Sequence, residues 1–292
     1  MVKPASSPQL GKSSIVDYVI WFILVLFSIS TLFPFVNVLF VSFANMKDIV
    51  ESGGVLLFPK SIHLDSYRYV LQYSGLLNAY GVTIFITVVG TIINLIMTAL
   101  GAYVLSNRDL PGRNAMMTMV LIAMLFSGGL IPTYLVVRSL QLVDTVWALM
   151  LPSAISAWLL ILMRNFFQGI PAELRESARI DGCSELGILV RIILPLSMPI
   201  FATLALFYGV GHWNEYINVV IYINDPDLST LQLILRKMYT FAIDQLDGDS
   251  LPPPVETVRA ATIMMSTLPI VMVYPFLQRY FVQGVMVGSV KG

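Results

Sequence analysis

The chain has 292 residues, 57% hydrophobic and 12% charged, and its 17 basic and 17 acidic side chains cancel. Soluble domains carry about 25% charged residues, so this composition, with a mean hydropathy of +0.80, describes an integral membrane protein, and the zero net charge excludes an electrostatic nucleic-acid partner. A single cysteine, Cys183, excludes an intrachain disulfide and a cysteine metal cluster, and His63 and His212 lie far apart, so no metal site is expected.

A bilayer-spanning helix needs about 20 mostly apolar residues. Six stretches qualify: 15–43, 80–105, 114–137, 146–167, 196–221 and 258–281. The expected fold is therefore an all-α integral membrane protein with six transmembrane helices, flanked by tails at 1–14 and 283–292. Lys3 and Lys12 precede a first apolar run too long for a signal-peptide core, with no A-x-A site after it, so it reads as a retained span. Spans contain Pro34, Gly90, Gly128, Gly129, Pro132, Pro152, Pro199, Pro269 and Pro275. Membrane helices tolerate such residues where neighbours satisfy the freed backbone groups.

The segment 44–79 contains Ser66-Tyr67-Arg68-Tyr69-Val70-Leu71, which reads as a short surface helix capped by Asp65 or Ser66. The polar segment 171–195, PAELRESARIDGCSELGILVRIILP, stands alone between apolar runs. Pro171 suits a first helical turn. Glu173 precedes Arg175, and Glu176 precedes Arg179, in the order the helix dipole favours. Gly182 stops the first helix, Ser184 caps a second, and Pro195 limits it. Two short helices with a glycine elbow result, with Leu174, Ala178, Leu186, Leu189 and Ile193 as docking faces. The last long loop, 222–257, opens on the turn Asn224-Asp225-Pro226-Asp227, continues through an amphipathic stretch at 231–243, and holds Asp247-Gly248-Asp249 and Pro252, Pro253 and Pro254. Its acids lack the D-x-D-x-D-G spacing of a calcium loop.

Orientation follows from the basic residues. With the N-terminus inside, Lys3, Lys12, Arg108, Arg113, Arg164, Arg175, Arg179, Arg191, Arg279 and Lys291 are cytoplasmic. The longer outer segments are sparser in base and hold Asp225, Asp227, Asp244, Asp247, Asp249 and Glu256. An even number of spans returns both termini, and the 171–195 hairpin, to the cytoplasm.

The fifth span contains His212-Trp213-Asn214-Glu215-Tyr216. An ionisable residue in a span marks a functional site by default. Trp213 and Tyr216 offer flat faces with polar edges, which suit a sugar. Trp213, Asn214, Glu215 and Tyr216 are thus candidates for a translocation path. The competing reading is a buried polar network that fixes helix packing, or a position already near the outer headgroups. There is no Walker A loop, no GxSxG and no plausible Ser/His/Asp set, so no catalytic residue is expected. An ion-coupled secondary carrier using Glu215 remains an alternative, although no inverted repeat is visible.

The hairpin resembles the "EAA" loop of ATP-binding-cassette importer permeases. Glu176-Ser177-Ala178, then Asp181-Gly182, then Ile192, Leu194 and Pro195 follow that pattern of E-A-A, three residues, G, nine residues, I-x-L-P. Ser177 departs from the usual alanine but stays small. SGGLIPTY at 127–134, WALMLP at 147–152 and the ending 284–292 resemble the maltose-type (CUT1) carbohydrate permeases, and among them importers of complex oligosaccharides such as alginate and aldouronate. The resemblance covers nearly the whole chain from the first span onward. It implies a transport subunit of the bacterial inner membrane, working by alternating access as a heterodimer with a second related permease. It further implies two ATPase subunits that carry ATP and Mg, with no cofactor on this chain, and an extracytoplasmic solute-binding protein that delivers an oligosaccharide. Glu176, Ser177, Ala178, Asp181, Gly182, Ile192, Leu194 and Pro195 would couple to the ATPases. Gly284, Gly288 and Lys291 would form a second, C-terminal contact with them.

Overall fold

The structure, a computed structural model, describes residues 15–53, 56, 58–244 and 255–289. The regular elements of the described residues are all helices, with no strand among them. They fall into two compact units, Met1–Val70 with Ala242–Met264, and Leu71–Phe241 with Met265–Gly292.

The first unit carries α1 (Ile15–Ser42), α2 (Met46–Glu51), α3 (Asp65–Leu71) and the start of the last helix. The apolar surface of α1 is exposed along its length and only Ser42 is buried. The expected short helix is α3, which begins at Asp65. Ser42 Oγ meets Tyr67 OH at 2.8 Å, Phe43 packs against the Tyr67 ring, and the buried Ser66 hydroxyl donates to Thr257 Oγ1 at 2.6 Å.

The second unit is built on α4 (Leu76–Ser106), which holds the second predicted span as one continuous helix. Around it lie α5 (Arg113–Leu125), α6 (Leu130–Ser139), α7 (Trp147–Met150), α8 (Ala157–Gln168), α9 (Ala172–Ile180), α10 (Glu185–Ile188), a π turn at Leu189–Ile193, α11 (Leu194–Leu196), α12 (Met198–Trp213), α13 (Ile217–Tyr222) and α14 (Leu231–Asp244). α15 (Val255–Ser289) runs on past the expected span end at 281. The amphipathic stretch at 231–243 is α14, whereas Asp247, Gly248, Asp249 and Pro252 to Pro254 lie outside the described residues.

Three helices, α1, α4 and the Val255–Val273 part of α15, are continuous and apolar enough to cross a membrane. The third, fourth and fifth predicted spans are broken at or near Gly and Pro sites, where kinks or helix ends are expected. The third bends by 114° between α5 and α6, where Gly129 takes φ +87°. Pro132 loses nothing there, because the first turn of α6 has no intrahelical acceptor for its missing N–H. The fourth is α7, a turn through Leu151-Pro152-Ser153-Ala154-Ile155-Ser156, and then α8. The fifth starts only at Met198, after an 84° bend from the Glu185–Leu196 segment, and breaks again after Trp213.

A broken helix in lipid leaves backbone groups that must find partners inside the protein. At the α7–α8 break they find them on α4 and α12. The fully buried Asn94 donates from Nδ2 to Ser153 O at 2.8 Å and to Ala154 O at 2.9 Å. Its Oδ1 is thereby turned to His212 Nε2, 2.6 Å away, which must carry the proton. Ser156 N–H donates to Tyr208 OH at 3.1 Å, and that hydroxyl also meets Thr98 Oγ1 at 2.8 Å. Lipid-exposed apolar surface gains nothing by helix association, so close packing and such hydrogen bonds hold the bundle.

Two cores flank this network. One joins Ala99, Ala102 and Leu105 of α4 to Met163 and Phe167 of α8, Ala178 of α9, Ile188, Leu189 and Ile193, and Ile200 and Leu204 of α12. The other joins Ile86 of α4 to Val137, Ala148, Leu149, Met150, Val219, Tyr222 and Leu233. There Asp144, at φ +65°, ties two loops together: its N–H donates to Tyr222 O and its carboxylate accepts from the Asn224 and Asp225 N–H groups, each at 2.8 Å.

Gly90 makes the His212 contact fit. A Cβ on it would lie 2.6 Å from His212 Nε2 and 2.9 Å from Cε1. The ring is hydrogen-bonded to Asn94 and cannot swing away freely. Gly90→Ala is therefore expected to destabilise the protein by about 1–3 kcal/mol through overpacking, which exceeds the roughly 1 kcal/mol of helix propensity that alanine adds. A thermal-unfolding midpoint in detergent that is unchanged or raised would contradict this.

Candidate functional site

The polar hairpin forms as its residues dictate. α9 begins after Pro171, with Glu173 in its first turn and Arg179 in its last. Gly182 sits at φ +80°, the left-handed region that glycine enters without penalty. From there Gly182 N–H donates to Arg179 O at 3.0 Å and Cys183 N–H to Ala178 O at 2.9 Å. These paired bonds are the Schellman closure, which satisfies the last carbonyls of α9. Ser184 Oγ accepts from Gly187 N–H at 3.2 Å and caps α10.

The hairpin has two faces. Ala178, Ile188, Leu189 and Ile193 are buried in the core beside α4 and α8, and Ile192 packs partly against it. Leu194 is half-buried. Glu176, Ser177, Asp181, Gly182 and Pro195 are exposed. Ile180 is 86% exposed and Leu186 67%. Two expectations change. Leu174 and Leu186 do not dock on this chain but stand out from it. Pro195 does not end the second helix: the π turn before it widens the ring where its N–H is missing, the helix continues to Leu196, and the break falls at Ser197 ahead of Pro199.

Side chains counted in the sequence only as positive charge fasten the hairpin to the bundle. Arg175 donates from Nη1 to Ser106 Oγ at 3.1 Å and from Nη2 to Phe167 O at 2.9 Å. Its guanidinium lies 5.5 Å from the centre of the Tyr103 ring, and burial pushes its pKa down. Arg113 and Arg164 both donate to Leu105 O. Three cations thus gather where the carbonyls of α4 end, the site the helix dipole favours. Arg179 pairs with Glu185, Nε to Oε1 at 2.8 Å, rather than with Glu176. Tyr103 OH donates to the other Glu185 oxygen at 2.6 Å. The Tyr103 hydroxyl first, and Arg179 second, hold the Glu185 carboxyl below its ordinary pKa. A depressed carboxylate contributes stability above its unfolded pKa and loses it as pH falls through the folded one, so this contact is whole at neutral pH. The legible signal was the Arg-x-x-x-Arg spacing of 175 and 179, one turn apart.

The His212–Tyr216 stretch is a helix break. α12 ends at Trp213 and α13 starts at Ile217. Glu215 is half-buried, and its Oε1 accepts from Asn218 N–H at 3.2 Å, capping α13. Asn214 is exposed and bonds Val210 O. Tyr216 lies under Arg236, 5.3 Å from ring centre to Cζ. Only Trp213 of the four reaches a cavity of about 510 Å³ between α4, α12 and α15. That cavity is apolar, walled by residues such as Ile84, Val88, Leu206 and Ile270. The Thr87 and Thr91 hydroxyls beside it have no hydrogen-bond partner. Trp213 Nε1 donates to Ser266 O at 3.0 Å. Gly284 and Gly288 lie in the last turns of α15, and Lys291 lies outside the described residues.

Residues 10–287 match the family described as the binding-protein-dependent transport system inner membrane component. The chain belongs to this family. The permease is 43% identical over 286 residues to the polygalacturonan/rhamnogalacturonan transport system permease protein YtcP of Bacillus subtilis (strain 168), covering 96% of this chain and 100% of that one. It is 48% identical to protein LplC of the same organism over 266 residues, 90% of each chain. A solved chain from a bacterial ABC transporter that imports the acidic polysaccharide alginate superposes with a TM-score of 0.82 at 32% identity, covering 92% of this permease and 99% of that chain. Membership of a binding-protein-dependent family displaces the ion-coupled carrier alternative for Glu215.

No neighbouring atom approaches the position of a Gly182 Cβ, so substitution there tests conformation alone. Gly182→Ala should cost about 1–2 kcal/mol locally. Gly182→Pro, which forbids φ +80° and removes the N–H to Arg179, should cost about 3 kcal/mol or more. Hydrogen exchange across 172–196 should rank them in that order, and equal protection in both would refute the Schellman assignment. For Glu215, Gln keeps the accepting oxygen whereas Ala removes the cap and should cost about 0.5–2 kcal/mol. Equal yields of folded Glu215→Gln and Glu215→Ala protein would show that the cap contributes nothing.

Proposed function

We propose that this chain is one of two related permease subunits of a binding-protein-dependent ABC importer that carries an oligosaccharide across the bacterial inner membrane. The observation that carries the reading is the two-faced hairpin. Its inner face is locked to the bundle, while its outer face presents Leu174, Ile180, Leu186 and Val190 beside Glu176 and Asp181. An apolar patch ringed by acid on a polar hairpin asks for a protein partner. Glu176, Ser177, Asp181 and Gly182 then face a separate ATPase subunit, with Ala178, Ile192, Leu194 and Pro195 fixing the hairpin behind them. ATP and Mg reside on the ATPases. Both termini are cytoplasmic on the basic-residue distribution, and Gly284, Gly288 and Lys291 make the second ATPase contact. The oligosaccharide class rests on relatives named for polygalacturonan, rhamnogalacturonan and arabinooligosaccharide transport and on the alginate importer.

Within the path, Trp213 is the residue of the fifth span best placed to meet a ligand, because it alone of its group reaches the cavity. Glu215 acts there through α13, which it caps. Each half of the transport cycle needs a ligand with unequal affinity for the two states; ATP at the ATPases and the loaded binding protein outside supply that inequality.

The test is reconstitution with the companion permease, ATPases and binding protein in vesicles. Uptake of labelled acidic and neutral oligosaccharides should require both ATP and the binding protein, and Glu176→Lys should lower uptake and stimulated ATP hydrolysis together. Uptake without the binding protein, or wild-type rates in Glu176→Lys, would overturn the reading.

A further inference from the structure

We propose that Arg175 and Tyr103 are the joint through which movement of the hairpin is passed to the membrane helices α4 and α8; this rests on the proposed importer function. Among the described residues, Arg175 has no carboxylate within ion-pair distance. Its cation instead bridges two helix ends, Ser106 at the last residue of α4 and Phe167 O in the last turn of α8, and rests on the Tyr103 ring. Tyr103 in turn holds Glu185, which holds Arg179. One closed circuit therefore runs from α9 to α4, across to α10 and back to α9. Its members stand at the points where the two hairpin helices meet the bundle.

Apolar packing alone would let the hairpin slide, because contacts among Ala178, Ile188, Leu189 and Phe167 have no direction. The guanidinium fork does have direction: five N–H donors in a rigid plane fix angle as well as distance. A tilt of α9 must drag the Ser106 hydroxyl and the Phe167 carbonyl with it or break two charge-assisted hydrogen bonds at once. Arg175 Nε is buried without an acceptor. Arg175 and Tyr103 touch no substrate and act through the hairpin; they are positioning residues.

The test is Arg175→Lys in the full reconstituted complex, with Tyr103→Phe and the double variant. Lysine keeps the charge but reaches one helix end at a time. The expected result is a complex assembled in normal yield whose transported molecules per ATP fall about two- to thirtyfold, the span of coupling changes seen for such residues. The double variant should fall no further than the worse single one. Hydrogen exchange at the backbone amides of 103–106 and 175–179, read in the same complexes, should rise together in Arg175→Lys. A wild-type ratio of transport to ATP would overturn the proposal. Loss of the ATPase subunits on purification would also overturn it, by making Arg175 a merely structural anchor. Should the wild-type complex itself fail to transport, the importer reading fails, and the exchange measurement still decides the joint: exchange at 103–106 unmoved by Arg175→Lys refutes it.

Discussion

The amide of Asn94 is the contact on which the rest of the bundle depends. Its two N–H groups take up the carbonyls of Ser153 and Ala154, and its oxygen takes the His212 proton. Water cannot do this inside a bilayer, and an unpaired backbone group there costs several kcal/mol. The break between α7 and α8 exists because a side chain of α4 stands in for the missing helical partner. Once that break is fixed, α8 starts at the right height to lay Met163 and Phe167 into the core beside the hairpin. Gly90, one turn before Asn94, leaves the room that His212 occupies.

The same logic operates at the other end of α4 with charge in place of amides. The carbonyls of Leu105 and Ser106 close a 31-residue helix, and a helix end of that kind carries partial negative charge. Arg113, Arg164 and Arg175 collect around it. A permease needs a polar attachment that can be reset, and cations on a helix end supply one. Apolar packing supplies the adhesion, and the arginines supply the alignment.

Much of this was legible in the chain. The hairpin could be read because every part has local chemistry: Pro171 at an entrance, Gly182 at a left-handed elbow, Ser184 at a cap. α1, α4 and α15 could be read from apolar length. The breaks in the third to fifth spans could not be placed, because Pro132, Pro152 and Pro199 are compatible with kinks as well as with ends. What decides between these is the supply of partners on distant segments, such as Asn94 for Ala154, 60 residues away. The local role of Glu215 could not be read for a related reason. A carboxylate in an apolar run signals cost, and the cost is met here by a backbone N–H three residues on, which no periodicity announces. Arg175 and Tyr103 meet only in space.

The π turn at Leu189–Ile193 sets the phase of everything after it. An α-helix advances about 100° per residue, and a π turn amounts to one residue more than the α register needs. The faces of α10 and α11 are therefore rotated against each other by about that angle relative to an uninterrupted helix. Spacing counted along the sequence from Gly182 to Pro195 consequently misreports which side chains share a side. A chain one residue shorter here would keep the same ends and lose the π turn, and Ile192, Leu194 and Pro195 would be re-aimed as a group. In this segment length behaves as an angular coordinate, and the fixed interval between elbow and proline is a statement about direction.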